Sequence, residues 1–290
     1  MSAGFACICF GLGGIVYAAG RPPRLAVAMA YFGLMELLQT VQYRYVAVPE
    51  DGYEMCKNPT NQWLTFIGLL HIIFQPYFTN LALGATARTY SIKARYMNDM
   101  TLRLTLIFAF WCYWRYFMAV YYPDNPDMAA RPSKECPNYE WVRDGYDAAI
   151  DFDTPNLPGH SCTFISNTTT GHIAWAAPLY QATYFSPGAS LHFFLMFAPA
   201  LVTMRHVILG SLFLLSGPVM AAYLTPSMNE QASVWCFFSF FQCIAYTIIA
   251  FVACDAQPKV NSKAGHNGGW GEKPMLYQLV DTLKNGKKHV

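Results

Sequence analysis

Seven stretches of this chain, 3–20, 25–47, 63–84, 102–122, 188–204, 207–224 and 232–253, are long and apolar enough to act as membrane spans. A bilayer core takes about 20 mostly apolar residues per helix. No single water-soluble domain buries seven such runs. Composition agrees: 54% of the 290 residues are hydrophobic and only 12% are charged, against about 25% charged in soluble domains. The expected fold is an all-α bundle of seven transmembrane helices. Trp63, Tyr121, Tyr122, Tyr223 and Trp235 fall near span ends, where interfacial aromatics belong. Pro22 and Pro23 break the chain between the first two spans, and Pro226 closes the sixth. An eighth apolar piece, 173–185, contains Pro178 and precedes Pro187. It is too short to span and is expected to be re-entrant or interfacial.

Charge sets the expected orientation. With seven spans, thirteen of the 19 Lys and Arg residues fall on one side, from Arg21 and Arg24 through Arg205 to Lys287 and Lys288. By the positive-inside rule the N-terminus lies outside and the C-terminus inside. Residues 1–10 carry no Lys or Arg, which speaks against a signal peptide and for a first span. The net charge of +2 gives no nucleic-acid footprint. The expected division is a bundle over 1–254 that includes an outer loop at 123–186, followed by a cytoplasmic-side polar tail at 255–290.

The outer loop is acidic, with eight acids and three bases between Pro123 and Thr154. It reads as a solvated cap. Three cysteines, Cys56, Cys136 and Cys162, lie in outer loops, and two of them should pair in an oxidising compartment. Sequence does not say which two. Asn167 begins an Asn–Thr–Thr glycosylation sequon in the same loop. In the tail, 275–284 has the pattern of a short amphipathic helix suited to a membrane surface or a partner.

Ionisable groups inside a bilayer are costly and point to function unless shown to be structural. Glu36 and His71 fall at similar depth in the second and third spans, which run in opposite directions. Gln39 shares the Glu36 face and Gln75 follows His71 by one turn. Arg115 and His192 would line the mouth of such a site, and His172 would reach it from above. One reading is a ligand site formed by these seven residues. It would be open to the outer side and bind or transport a small polar ligand, an ion or a proton. Another is a zinc centre at Glu36, His71 and His172, serving a metal-dependent hydrolase. A third is a purely structural network in an accessory subunit of a larger membrane complex, or in a homo-oligomer. The chain has no HExxH motif, no His pair in its last span as in alkaline ceramidase-like enzymes, and no Schiff-base Lys there as in retinal proteins. It also lacks the DRY and NPxxY signatures of G-protein-coupled receptors. The expectation therefore leans away from an enzyme, and zinc is the one cofactor the residues suggest.

Three segments, HIIFQPYF (71–78), TTTGHIAW (168–175) and LHFFLMFAP (191–199), resemble a family of uncharacterised multi-pass membrane proteins, a domain of unknown function. The resemblance implies a polytopic fold and brings no activity, cofactor or site residues. Four of the candidate residues, His71, Gln75, His172 and His192, lie within these segments.

Overall fold

A computed structural model describes residues 2–51, 53–86, 92–121, 161–165, 171–177, 189–197, 204–225 and 228–253. All of these belong to one compact unit, Met1–Gln257. The described chain is mostly helical: α1 (Ser2–Ala18), α2 (Pro23–Gln42), α3 (Pro59–Thr86), α4 (Ile92–Tyr121), α5 (Ala189–Phe197), α6 (Met204–Leu214), α7 (Met220–Leu224) and α8 (Met228–Ala253). Helix lies over every one of the seven apolar stretches. Three segments, Pro23–Gln42, Pro59–Thr86 and Glu230–Val252, are helices long and apolar enough to cross a membrane. Two shorter apolar helical segments, Ser2–Ala18 and Ile208–Leu224, accompany them.

The first two helices form an antiparallel hairpin whose turn is set by sequence. Gly20 has φ 69°, a left-handed conformation that favours glycine. The Gly20 N–H donates to the Tyr17 carbonyl and the Arg21 N–H to the Val16 carbonyl, which closes α1 with a Schellman-type cap. Pro22 and Pro23 then open α2, where a missing N–H costs nothing. Small residues bring the two helices close. A Cβ on Gly33 would lie 3.2 Å from the Cys9 Cβ, and one on Gly13 would lie 3.3 Å from the Ala26 carbonyl. The core fills the space among α1, α2, α3 and α8 with Val16, Leu25, Met29, Phe32, Leu83 and Tyr246.

Two prolines lie inside the helices, and a side chain ties a neighbouring element to the chain near each. Pro76 lies inside α3. One turn on, the Asn80 amide donates to the Pro76 carbonyl and to the Leu195 carbonyl, each at 2.7 Å, and so ties α3 to α5. Pro218 lies in a π-helical turn, Leu215–Val219, between α6 and α7. Having no N–H, it gives no hydrogen bond to the preceding turn. Gln242 of α8 instead donates to the Phe213 carbonyl at 3.3 Å. Trp235 of α8 fills the same turn: a Cβ on Gly217 would sit 2.3 Å from its Nε1 and 2.8 Å from its Cδ1. Gly217→Ala is therefore expected to destabilise the protein by about 1–3 kcal/mol through overpacking. Gly14→Ala, whose Cβ meets nothing within 4 Å, should be neutral or stabilising. Thermal melts of the two variants side by side check this, and equal melting temperatures would refute the packing account.

One expected element is corrected. The first part of the segment expected to be re-entrant or interfacial is extended rather than helical: Ile173–Ala176 is a β-strand, β2, paired antiparallel with β1 (Cys162–Ile165). The fold is thus helical with a small sheet rather than all-α, and the acidic stretch expected to form a solvated cap lies outside the described residues. Ile173 and Trp175 alternate with Ala174 and Ala176, a pattern that suits a buried pleat better than a short helix. A two-stranded sheet is marginal alone. This one is extended at Ala47, whose N–H donates to the Thr163 carbonyl while its own carbonyl accepts from the Ile165 N–H. It is also pinned covalently by a disulfide between Cys56 and Cys162. Cys136, Asn167, the acidic part of the loop, residues 178–185 and the tail 255–290 lie outside the described residues.

Candidate functional site

Polar side chains gather where the sheet sits on the helices, and the best satisfied group anchors β1 to α3. The Asn61 amide pairs with both backbone groups of one residue, Thr163. Its Nδ2 donates to the Thr163 carbonyl at 2.7 Å, and its Oδ1 accepts from the Thr163 N–H at 2.9 Å. The same Nδ2 reaches the Tyr45 carbonyl at 2.6 Å. The hydroxyls of Thr65 and Thr163 meet at 2.8 Å. Gln42 of α2 donates to the Leu64 carbonyl at 2.9 Å and accepts from the Trp175 indole at 3.2 Å. Gly68 makes room for this, because a Cβ there would press on the Gln42 amide at 3.2 Å. Every partner in this group is used by another, so its role is to hold the sheet in place.

A second group lies at the start of α8, around a carboxylate that the sequence reading passed over. Glu230 is fully buried at 0% exposure. Its Oε2 accepts from the Thr225 hydroxyl at 2.6 Å and its Oε1 from the His172 backbone N–H at 3.2 Å. Ser233, one turn along, donates to the carbonyls of Ile173 and Glu230. A carboxylate in the first turn of a helix also faces the positive end of the helix dipole. The one signal in the sequence was an acid among the first residues of an apolar helix, which reads equally well as an ordinary capping residue.

His172 begins β2 beside this carboxylate. Burial holds its imidazole below the ordinary value near 6.5, with the Glu230 charge opposing the shift. The docked sheet therefore favours the neutral ring, whereas the released segment takes up a proton as pH falls through about 6.5. Docking is fully stabilised above that pH and weakens below it. Amide exchange in 162–165 and 173–176, corrected for intrinsic rates, should accelerate between pH 7.5 and 5.5. The acceleration should be reduced in His172→Gln. A wild-type profile that is flat over that range would contradict the assignment.

The third group occupies the seam of α1, α2 and α8. Glu36 and Gln39 lie on one face of α2 and are 1% and 2% exposed. Ser2 at the start of α1 lies close to the Glu36 carboxylate, within reach of the N-terminal amine's charge as well. Glu36 Oε1 and Gln39 Nε2 have no hydrogen-bond partner in the described structure. Cys9 of α1 and Cys236 and Cys243 of α8 lie close enough to feel the Glu36 charge.

The structure does not bring His71 to this seam. The His71 ring stacks on Tyr31 at 3.8 Å, and the Tyr31 hydroxyl donates to the His71 backbone carbonyl. Tyr31 and Glu36 are five residues apart on α2, which at 3.6 residues per turn places them about 140° apart around the axis. The expected Glu36–His71 pair is thus not formed: α3 packs on the Tyr31 and Gln42 row of α2, while Glu36 turns toward α1 and α8. Gln75 is buried in α3, Arg115 is buried in α4, and His192 lies on α5 near Phe108. The Nε2 atoms of His71 and His192 are buried without a hydrogen-bond partner in the described structure. Among the described residues no three His, Cys, Asp or Glu side chains converge as a metal site. Glu36, His71 and His172, the expected zinc set, have three different sets of neighbours.

Residues 1–256 match a family of unknown function (DUF5765), and the chain belongs to that family. No curated protein and no solved structure matches it.

Proposed function

We propose that this family member is a seven-span integral membrane protein, N-terminus outside and C-terminus inside, that binds or transports a small polar species at the α1–α2–α8 seam. The observation that carries the binding reading is the pair Glu36 Oε1 and Gln39 Nε2. One is an acceptor and the other a donor, both are buried within an apolar bundle, and neither has a hydrogen-bond partner among the described residues. A buried polar group without a partner calls for a water or an ion, and a carboxylate in hydrocarbon marks such sites. The topology is supported by the bias of Lys and Arg toward one side and by the Cys56–Cys162 bridge, which suits an oxidising outer compartment.

The binding test is a thermal-shift screen of the full chain in lipid, against monovalent and divalent cations, small anions and pH. One or more conditions should stabilise the wild type and lose that effect in Glu36→Gln and Gln39→Leu. A screen with no Glu36-dependent shift would remove the reading. Side-specific labelling should find Asn167 outside and Lys287 inside; the same side for both would remove the topology.

A second reading has its own support. The polar groups around Asn61 and Glu230 are consumed by one another, as expected of an accessory subunit whose polar residues only lock helices. Purification in mild detergent distinguishes the two. A stoichiometric partner, together with an unresponsive Glu36, favours the subunit.

A further inference from the structure

The seam supports a narrower assignment, which rests on the binding reading above. On α2, Glu36, Gln39 and Tyr43 recur at i, i+3 and i+7 and form one stripe. Tyr43 ends the stripe beneath the sheet. Its hydroxyl lies near the Ile173 backbone and feels the charges of both Glu36 and Glu230. Its ring is 40% exposed, so the stripe runs from an exposed tyrosine to a buried carboxylate. Between them stands Gln39, whose Nε2 has no acceptor among the described residues. A water there can accept from Gln39 and donate to Glu36, which satisfies both orphaned atoms at once.

The surroundings select the ligand. The polar and titratable groups around Glu36 are the N-terminal amine, Ser2 and Cys9 on the α1 side, Cys236 and Cys243 from α8, and Tyr43 just past the end of α2, with Glu230 beyond Tyr43. His71 of α3 bonds to none of them. Calcium takes six to eight oxygen ligands, and this stripe offers one carboxylate. The Gln39 donor faces the site, where a bound cation would want an acceptor. A proton needs only the carboxylate and a water through which to arrive.

We infer that Glu36 is a proton-loading site that exchanges protons with the sheet side of the bundle through water held by Gln39 and Tyr43. Loading converts the carboxylate and a hydronium into a carboxylic acid and water; unloading is the reverse, with no electron transferred. The acid form donates its O–H to the same water that bridges to Gln39.

Infrared difference spectroscopy of the full chain in lipid nanodiscs, stepped between neutral and mildly acidic pH, tests this. A carboxylic-acid C=O band should appear on acidification, shift on exchange into deuterium oxide, vanish in Glu36→Gln and survive in Glu230→Gln. Glu36→Asp should keep a band at a different frequency, which separates loss of the carboxyl from loss of the fold. Gln39→Leu should move the band, because the bridging water loses its donor. A pH-dependent band that persists in Glu36→Gln overturns the inference. If pH produces no Glu36 band but sodium, potassium or ammonium shifts its carboxylate stretch, proton loading is wrong and the binding reading stands. If neither has any Glu36-dependent effect, both fail.

Discussion

Cys56→Ala/Cys162→Ala is expected to lower the melting temperature by roughly 10–15 °C, corresponding to a loss of about 3–5 kcal/mol. The bridge closes a sequence separation of 106 residues. A free chain of about 100 residues would set the upper figure by loop-closure entropy. The lower figure applies because α3 and α4 lie inside that loop, and helices in lipid keep their hydrogen bonds after tertiary contacts are lost. The segment that actually gains freedom is then shorter than the separation. The loss should be reproduced by reducing the wild type, and reduction should do nothing further to the double variant. Amide protection in β1 and β2 should fall more than protection in α2. A melting temperature within about 3 °C of wild type, a difference on the order of 1 kcal/mol, would mean that the sheet is held by its polar contacts alone.

What the sequence made legible follows from how far each signal extends along the chain. A run of about 20 apolar residues specifies a helix almost regardless of its neighbours, and helix lies over all seven runs. The sheet was hidden because each of its strands has four residues. Four residues carry too little periodicity to separate a pleat from one helical turn. The cysteine candidates included the bonded pair, yet nothing in their spacing favoured Cys162 over Cys136, because only the docking of β1 brings residues 56 and 162 together.

The buried site shows the same limit in another form. Counting residues from span ends puts Glu36 and His71 at similar depth, but depth says nothing about direction around the helix axis. That direction was settled by Tyr31, which stacks on both His71 and Phe78 and turns its own row of α2 toward α3. Glu36 was left facing α1, where Gly33 and Gly13 allow close approach. Gln39 was legible, since it follows Glu36 at helical spacing. Glu230 was not, because its importance depends on Thr225 and on a strand 58 residues earlier in the chain.

Asn61→Leu should have an effect on the order of 3–5 kcal/mol, chiefly from lost hydrogen bonds. Leucine keeps the same branched skeleton with bulkier methyl ends, so no cavity forms. It also leaves the Thr163 N–H and the Tyr45 carbonyl without the bonds they now make with Asn61, and removes one of two bonds from the Thr163 carbonyl, which keeps the Ala47 N–H. Each buried polar group left unmade costs about 1–3 kcal/mol, and partial rescue by water lowers the total. Asn61→Asp sharpens the test. It keeps an acceptor for the Thr163 N–H but turns a carboxylate oxygen toward two carbonyls, so it should be at least as damaging as leucine. The order wild type, then Leu, then Asp is what the bidentate reading requires, and thermal melts together with exchange at residues 162–165 measure it. Asp melting above Leu would show that only the N–H bond matters. The disulfide couples to this contact, because both hold β1 to the start of α3. In the absence of the Cys56–Cys162 bond, Asn61→Leu should release the sheet entirely, and the combined loss should depart from the sum of the two separate losses. That release would also uncover Tyr43, whose hydroxyl now lies near β2. The triple variant should therefore exchange protons at Glu36 faster than wild type, and an unchanged rate would separate the sheet from the path to the site.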